Sequence, residues 1–240
     1  MPSPIRVGLL GAGYIAEWHA KALKTIPAVR LVAVCDQSQP RAATLANAHG
    51  VSRTHADLGE MLADGGVDCV HVLLPPQAHY RATRDVLAAG AAAYLEKPMC
   101  VRPDEAAELE AMAATGRVVG VGHNFLFDPN YDRLKADLAA GRLGRIEHVS
   151  VVWAKEFGPA RSGPFGGWVF RRPGNILLEV GPHPVANVLD LVGDPDRLRA
   201  EAIDPVLLPS GERFFRRWLV WSFHGRASVE MRLCFGPGFP

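Results

Sequence analysis

Three short constellations carry residue types that could do chemistry. The first is Tyr94-Leu95-Glu96-Lys97-Pro98, where a carboxylate and an amine close an apolar run of small residues that reads as a buried strand. Charges in that position are costly unless something uses them or water reaches them. The end of such a strand faces the cleft of a parallel sheet, where a lysine would meet a ligand partly desolvated, and the glutamate can hydrogen-bond a cofactor. The bland alternative is a surface ion pair of little worth. The second constellation is Glu179, His183 and Asn187, spaced four apart in GNILLEVGPHPVANVLD (174–190) and so on one stripe of an otherwise apolar helix. Polar groups on such a stripe call for a partner, and histidine is the side chain that exchanges protons near neutral pH. The alternative is a histidine satisfied within the core.

The third is Gly11-Ala12-Gly13-Tyr14-Ile15-Ala16, a G-x-G-x-x-A run between an apolar strand and a helix. Gly11 permits a tight turn, Gly13 lets the backbone approach a pyrophosphate, and Ala16 allows close helix–sheet packing. The helix then opens at Tyr14 and Ile15 with free N–H groups and a partial positive charge for phosphates. Asp36 ends the next strand, where a carboxylate accepts hydrogen bonds from the adenosine ribose. It also repels a 2′-phosphate, and Gln37-Ser38-Gln39 brings no base beside it. NAD is therefore favoured over NADP, with Arg41 near enough to keep NADP open; a plain glycine turn with a solvated Asp36 is the competing reading. Leu73-Leu74-Pro75-Pro76 ends a further strand at the same carboxyl edge, where ligands of such sheets bind. Its prolines either expose Leu74 and Pro75 to the cofactor or merely stop the strand. His79 just beyond reads as a cofactor contact or as an ordinary surface residue.

These residues need a frame. Strand signals at 5–10, 30–36, 67–75, 92–96 and 117–124 alternate with helix signals at 11–24, 40–49, 58–62, 77–89 and 103–114. That alternation predicts an α/β Rossmann domain, a doubly wound parallel sheet with helices on both faces, over residues 1–123. The pattern then changes. A helix over 129–140, an alternating run over 146–156 that reads as an antiparallel strand with one face exposed, one helix over 175–192 and a hairpin turning at Gly225-Arg226 predict an α+β domain over 124–240, built on a mainly antiparallel sheet.

Composition limits the alternatives. The net charge of +1 leaves no field to attract nucleic acid or anionic membrane, and no apolar run reaches the roughly 18 residues of a membrane span. Cys35, Cys69, Cys100 and Cys234 are widely spaced with no C-x-x-C, which argues for buried thiols, no metal site and a cytoplasmic location. The first residues, MPSPIRVGLLGAG, lack the order of a signal peptide.

Taken in order, GAGYIA, LPPQAH, YLEKP, GHNFLFDP and EVGPH resemble the glucose–fructose oxidoreductase / inositol 2-dehydrogenase (Gfo/Idh/MocA) family of NAD(P)-dependent oxidoreductases, over residues 4–235. The resemblance implies an enzyme that transfers a hydride between nicotinamide and a secondary alcohol or ketone of a sugar or polyol. It implies Lys97 and His183 as the catalytic pair with Glu179 beside them, and a Lys97–Pro98 peptide that is often cis. Candidate substrate contacts are Asn124, Arg161, Trp168, Glu179 and His183, and a homo-oligomer through the C-terminal sheet is implied. The chain departs from the family at Glu179, where aspartate is usual, and at Phe125, where arginine is common. Family members also continue past FGPGFP with further strands, whose absence would leave an open sheet edge. The reading from a different class is an NAD-binding sensor or scaffold without catalysis.

Overall fold

A computed structural model describes residues 3–236, apart from the side chain of Arg161. Two compact units, Met1–Gly122 and His123–Pro240, divide the chain. The first follows strict strand–helix alternation: β1 (Ile5–Leu10), α1 (Tyr14–Lys24), β2 (Val29–Cys35), α2 (Gln39–His49), β3 (Arg53–His55), α3 (Leu58–Ala63), β4 (Cys69–Val72), α4 (His79–Ala88), β5 (Ala92–Leu95), α5 (Pro103–Ala114) and β6 (Val119–Val121). The strands form one parallel sheet in the order β3-β2-β1-β4-β5-β6. Strand order reverses on the two sides of β1, which opens a crevice at the carboxyl ends of β1 and β4.

Period-two alternation sorts the core onto the two sheet faces. Val7 and Leu9 of β1 pack with Ala16, Ala20 and Leu23 of α1 and Leu45 of α2. Leu10 packs the other way with Met61, Val86 and Leu87 from α3 and α4. Two strands are shorter than their apolar runs. β4 stops at Val72 rather than reaching residue 75, because Pro75 and Pro76 turn the chain into a 3-10 turn over Pro76–Ala78. β6 covers three residues of the run at 117–124.

In the second unit, α6 (Pro129–Ala139), β7 (His148–Lys155), α7 (Gly158–Ser162), α8 (Asn175–Val180), α9 (Pro182–Val192), β8 (Arg197–Leu207), β9 (Arg213–His224) and β10 (Ala227–Phe235) follow in order. The sheet runs β7-β10-β9-β8. The β9–β10 hairpin turns at Gly225-Arg226, and β8 pairs antiparallel with β9. One expectation needs correction: β7 pairs with β10 in parallel. Alternation along β7 reports its single exposed face and carries no information on the direction of its partner. The sheet is therefore mixed and mainly antiparallel.

Residues Ala227, Val229, Met231, Leu233 and Phe235 alternate inward along β10 and meet Phe170, Ile176 and Val188 from the segment that carries α8 and α9. The helix expected over 175–192 is in fact α8 and α9, joined at Gly181. Pro182 and Pro184 remove two N–H donors, one on each side of His183, from the helical ladder there. The chain tightens to compensate: the Gly181 N–H donates to the Leu177 carbonyl at 2.7 Å, and a Cβ at Gly181 would lie well inside van der Waals contact distance of that oxygen. Glycine at this joint is what lets His183 stand in the first turn of α9.

Candidate functional site

The crevice of the first unit is a cleft of about 1090 Å³ lined by Gly11, Gly13, Tyr14, Ile15, Asp36, Leu74 and Pro75 among others. Seven of the residues expected to hold a cofactor are thus brought together. Gly11 has φ +101°, and a Cβ on it would lie 2.7 Å from the Leu73 carbonyl oxygen, so neither conformation nor space admits a side chain. Gly13 has open space where its Cβ would be, which is the clearance a pyrophosphate needs. Tyr14 begins α1 with its side chain 82% exposed, leaving the helix N-terminus accessible.

Asp36 is the anchor at the far side of the cleft. Its carboxylate is buried, and three donors fix it: Ala12 N–H to Oδ2 at 2.8 Å, Ser38 N–H to Oδ1 at 2.7 Å, and Arg41 Nη2 to Oδ1 at 2.8 Å. Burial alone would push this carboxyl up. The Arg41 guanidinium and the two backbone N–H groups outweigh it and hold the group below the usual carboxylate range. A pre-oriented anion with lone pairs left over is what the ribose hydroxyls of a dinucleotide require. Cys35, on the cleft wall beside it, is pushed up to about 12 by burial and by the nearby carboxylates of Asp57, Asp36 and Glu60, so it stays a thiol.

At the end of β5, one strand beyond β4, sit Glu96 and Lys97; the Glu96 N–H closes the ladder onto the Val72 carbonyl. The Lys97–Pro98 peptide is cis. His79 is corrected by the structure: it is wholly buried, with Nδ1 2.8 Å from the Pro98 carbonyl and Nε2 2.7 Å from the Leu74 carbonyl. Both ring nitrogens face protein backbone, so the ring braces the cleft from behind instead of lining it.

Sequence reasoning missed a cluster behind Glu96. His19 of α1 places Nε2 3.0 Å from Glu96 Oε1 and Nδ1 2.9 Å from His71 Nδ1, and the His71 and Tyr94 rings lie 4.8 Å apart. Burial and then the charge of His19 push His71 down to about 4, leaving it neutral near pH 7. The ring-to-ring contact is therefore a hydrogen bond and not two like charges. Burial raises Glu96, but the His19 hydrogen bond and the charges of His19 and Lys97 bring it below its ordinary value, so it remains an ionised acceptor. A signal existed: His19 falls three residues after Ala16, on the same buried face of α1, where a polar residue needs a partner.

In the second unit, His183 is gripped by aromatic rings. Phe125 meets it edge-on at 4.7 Å, and Trp153 stacks parallel to it at 5.8 Å with 5° between planes. Phe125 lies in the 3-10 turn Asn124–Phe127 and Trp153 on β7, so turn, strand and α9 fix the imidazole plane together. Glu179 stands one turn earlier on α8, across the Gly181 joint. Trp168 opens a 3-10 turn, and its carbonyl accepts from Asn175 Nδ2 at 2.6 Å. The Asn187 backbone carbonyl, not its side chain, accepts from the Tyr131 hydroxyl at 3.0 Å. The side chain of Arg161 lies outside the described residues. Among the described residues, no group of three His, Cys, Asp or Glu is arranged to hold a metal ion, and no helix is long and apolar enough to cross a membrane.

A parallel sheet with its order reversed at β1, a glycine turn pressed on Leu73 and an anchored carboxylate across the cleft define a dinucleotide-binding protein of the Rossmann type. Residues 5–123 match the model of the GFO_IDH_MocA oxidoreductase family with NAD-binding Rossmann fold, and the chain belongs to this family. It is 34% identical over 149 residues to inositol 2-dehydrogenase of Rhizobium meliloti (strain 1021), covering 62% of this chain and 44% of that protein. It is 31% identical over 199 residues to D-glucoside 3-dehydrogenase of Escherichia coli (strain K12), covering 80% and 55%. The chain thus spans about half the length of the curated relatives it matches. An oxidoreductase from Agrobacterium radiobacter, solved with NAD+, L-tartaric acid and magnesium, superposes with a TM-score of 0.88 over 99% of this chain and 68% of its own, at 19% identity, a likeness of fold.

Proposed function

We propose that the protein is an NAD-dependent oxidoreductase acting on a secondary alcohol or ketone of a sugar or polyol. The observation that carries this reading is the Asp36 carboxylate, buried and fixed by Ala12, Ser38 and Arg41 in the same cleft as the Gly11 turn. These residues fit NAD: the carboxylate accepts from ribose hydroxyls, the α1 N-terminus takes the pyrophosphate, and a 2′-phosphate meets negative charge. NAD, when bound, supplies the carbon that accepts or returns the hydride. Lys97 donates a hydrogen bond to the reacting oxygen and stabilises its developing charge. His183 takes the hydroxyl proton during oxidation and returns it during reduction. Glu179, Asn124, Trp168 and Arg161 are the side chains assigned to substrate hydroxyls. Relatives named for inositol and glucoside dehydrogenation support a polyhydroxylated substrate.

The test is a panel of inositols, aldoses and glucosides with NAD, followed by absorbance of NADH. Turnover on at least one polyol is expected, and replacing His183 by asparagine should lower kcat by about 10²- to 10⁴-fold. Wild-type turnover in a Lys97→Ala, His183→Ala double variant would remove the assigned pair.

The solvent-facing side of the second sheet supports self-association. Phe223 is 45% and Val152 60% exposed there, with Arg197 over Phe223 at 4.8 Å and Arg199 over Trp221 at 5.7 Å. Apolar side chains rimmed by arginine suit an interface. Sedimentation should give a homo-oligomer that Phe223→Glu dissociates; a monomer at all concentrations would rule this out.

A further inference from the structure

Two histidines flank the Glu96-Lys97-Pro98 turn, and neither belongs to that motif. Sheet hydrogen bonds hold the chain as far as Glu96, whose N–H donates to Val72. Beyond that point the ladder gives way to side-chain anchors. Pro98 has no N–H, so its carbonyl is its one backbone handle, and His79 Nδ1 lies 2.8 Å from it. On the other side, His19 Nε2 lies 3.0 Å from the Glu96 carboxylate. The two rings come from different helices, His19 from α1 and His79 from the start of α4. Each also lies against a second group: His19 Nδ1 is 2.9 Å from His71 Nδ1, and His79 Nε2 is 2.7 Å from the carbonyl of Leu74, a residue of the cleft wall.

We propose that His19 and His79 are positioning residues that fix the direction of the Lys97 amine by holding the residues on either side of it. The geometry is that of a bracket. An extended chain end has two soft dihedrals per residue, and pinning the neighbours on both sides of Lys97 restricts where its Cα–Cβ bond points. A neutral imidazole has one N–H and donates to one of the two carbonyls at a time, but the ring packed between them still spans the lysine turn and the Leu74–Pro75 wall of the cofactor cleft. A lysine loosened by even an ångström loses much of its value in a preorganised site. The inference rests on the reading of Lys97 as the residue beside the reactive end of NAD.

The test reads Lys97 directly and needs no substrate. The chain has five lysines, Lys21, Lys24, Lys97, Lys135 and Lys155. Reductive methylation with 13C-formaldehyde gives each a separate dimethylamine signal that keeps its charge, and Lys97→Arg identifies the one that matters. Adding NAD to the wild type should move the Lys97 signal. The variants are chosen by which nitrogen they imitate: asparagine at 79 keeps a donor near the Nδ1 position, glutamine near Nε2. His79→Asn and His19→Gln should therefore retain the response, while His79→Gln and His19→Ala should lose at least half of it or broaden the signal. A role confined to stability would lower the melting temperature of both His79 variants without separating them at Lys97. If all four variants respond as the wild type does, the bracket is wrong. If the wild-type Lys97 signal ignores NAD while other lysines respond, the reading of Lys97 fails, and the bracket with it.

Discussion

Replacing Lys97 by methionine is expected to lower kcat about 10²- to 10³-fold, the usual cost of removing one preorganised donor from a developing negative charge, while the Kd for NAD changes only a few-fold. Methionine keeps the unbranched apolar stem, so packing in the turn is largely conserved. On the proposed reading the cofactor is held chiefly by the Gly11 turn and by Asp36, which belong to the β1 and β2 end of the cleft, whereas Lys97 follows β5 on the other side of β4. Lys97→Arg should recover little, because a planar guanidinium cannot place one donor where the ammonium stood. Stopped-flow measurement of NADH formation, with calorimetry of NAD binding on the same sample, separates the two quantities. Equal kcat in wild type and Lys97→Met would show that the amine takes no part in the chemical step. A large loss of NAD affinity instead would make Lys97 a binding residue and would leave the charge on the reacting oxygen to be stabilised by another donor.

How much of this could be read from the residues depends on the range of the interaction. Gly11, Gly13 and Asp36 were legible because the motif is local: strand, turn, helix and the end of the next strand fix all three, and the cleft collects them as expected. Glu96 and Lys97 were legible as a motif, but the histidines behind them were not. His19 lies 77 positions from Glu96 and His79 lies 19 from Pro98, and no periodicity connects residues that meet only through tertiary packing. His79 was misread because a polar residue at a helix start is ordinarily solvated, whereas here two backbone carbonyls replace the water. In the second unit β8 escaped notice for a different reason. It is an exposed edge strand with Pro205 inside it and Arg197, Arg199 and Glu201 along it, so it has neither an apolar run nor clean alternation. The single helix over 175–192 was half right: the apolar spacing survives, but spacing does not register the N–H groups that Pro182 and Pro184 lack.

The other large effect concerns which dinucleotide the cleft prefers, and the sign follows from what Asp36 holds. Its carboxylate keeps Arg41 occupied at 2.8 Å, although the Arg41 side chain is 63% exposed. Asp36→Ser removes the acceptor for the ribose hydroxyls and the negative charge that repels a 2′-phosphate, and it frees Arg41 in the same step. Hydrogen bonds to a charged group are worth about 1.5–3 kcal/mol, so the Kd for NAD should rise roughly 10- to 100-fold at about 1.4 kcal/mol per decade. NADP should bind more tightly than to the wild type, because a released guanidinium pairs well with phosphate. The gain is limited by a structural cost. Ala12 N–H and Ser38 N–H both lose the carboxylate they donate to, and a serine hydroxyl can satisfy only part of that demand. Some destabilisation should therefore accompany the switch. Adding Arg41→Ala to Asp36→Ser separates the contributions: NAD affinity should stay low, while the improvement in NADP binding should vanish. Calorimetric titration of both dinucleotides into the three proteins measures this. An unchanged Kd for NAD in Asp36→Ser would mean that the anchored carboxylate is a structural cap on the glycine turn and not the ribose acceptor.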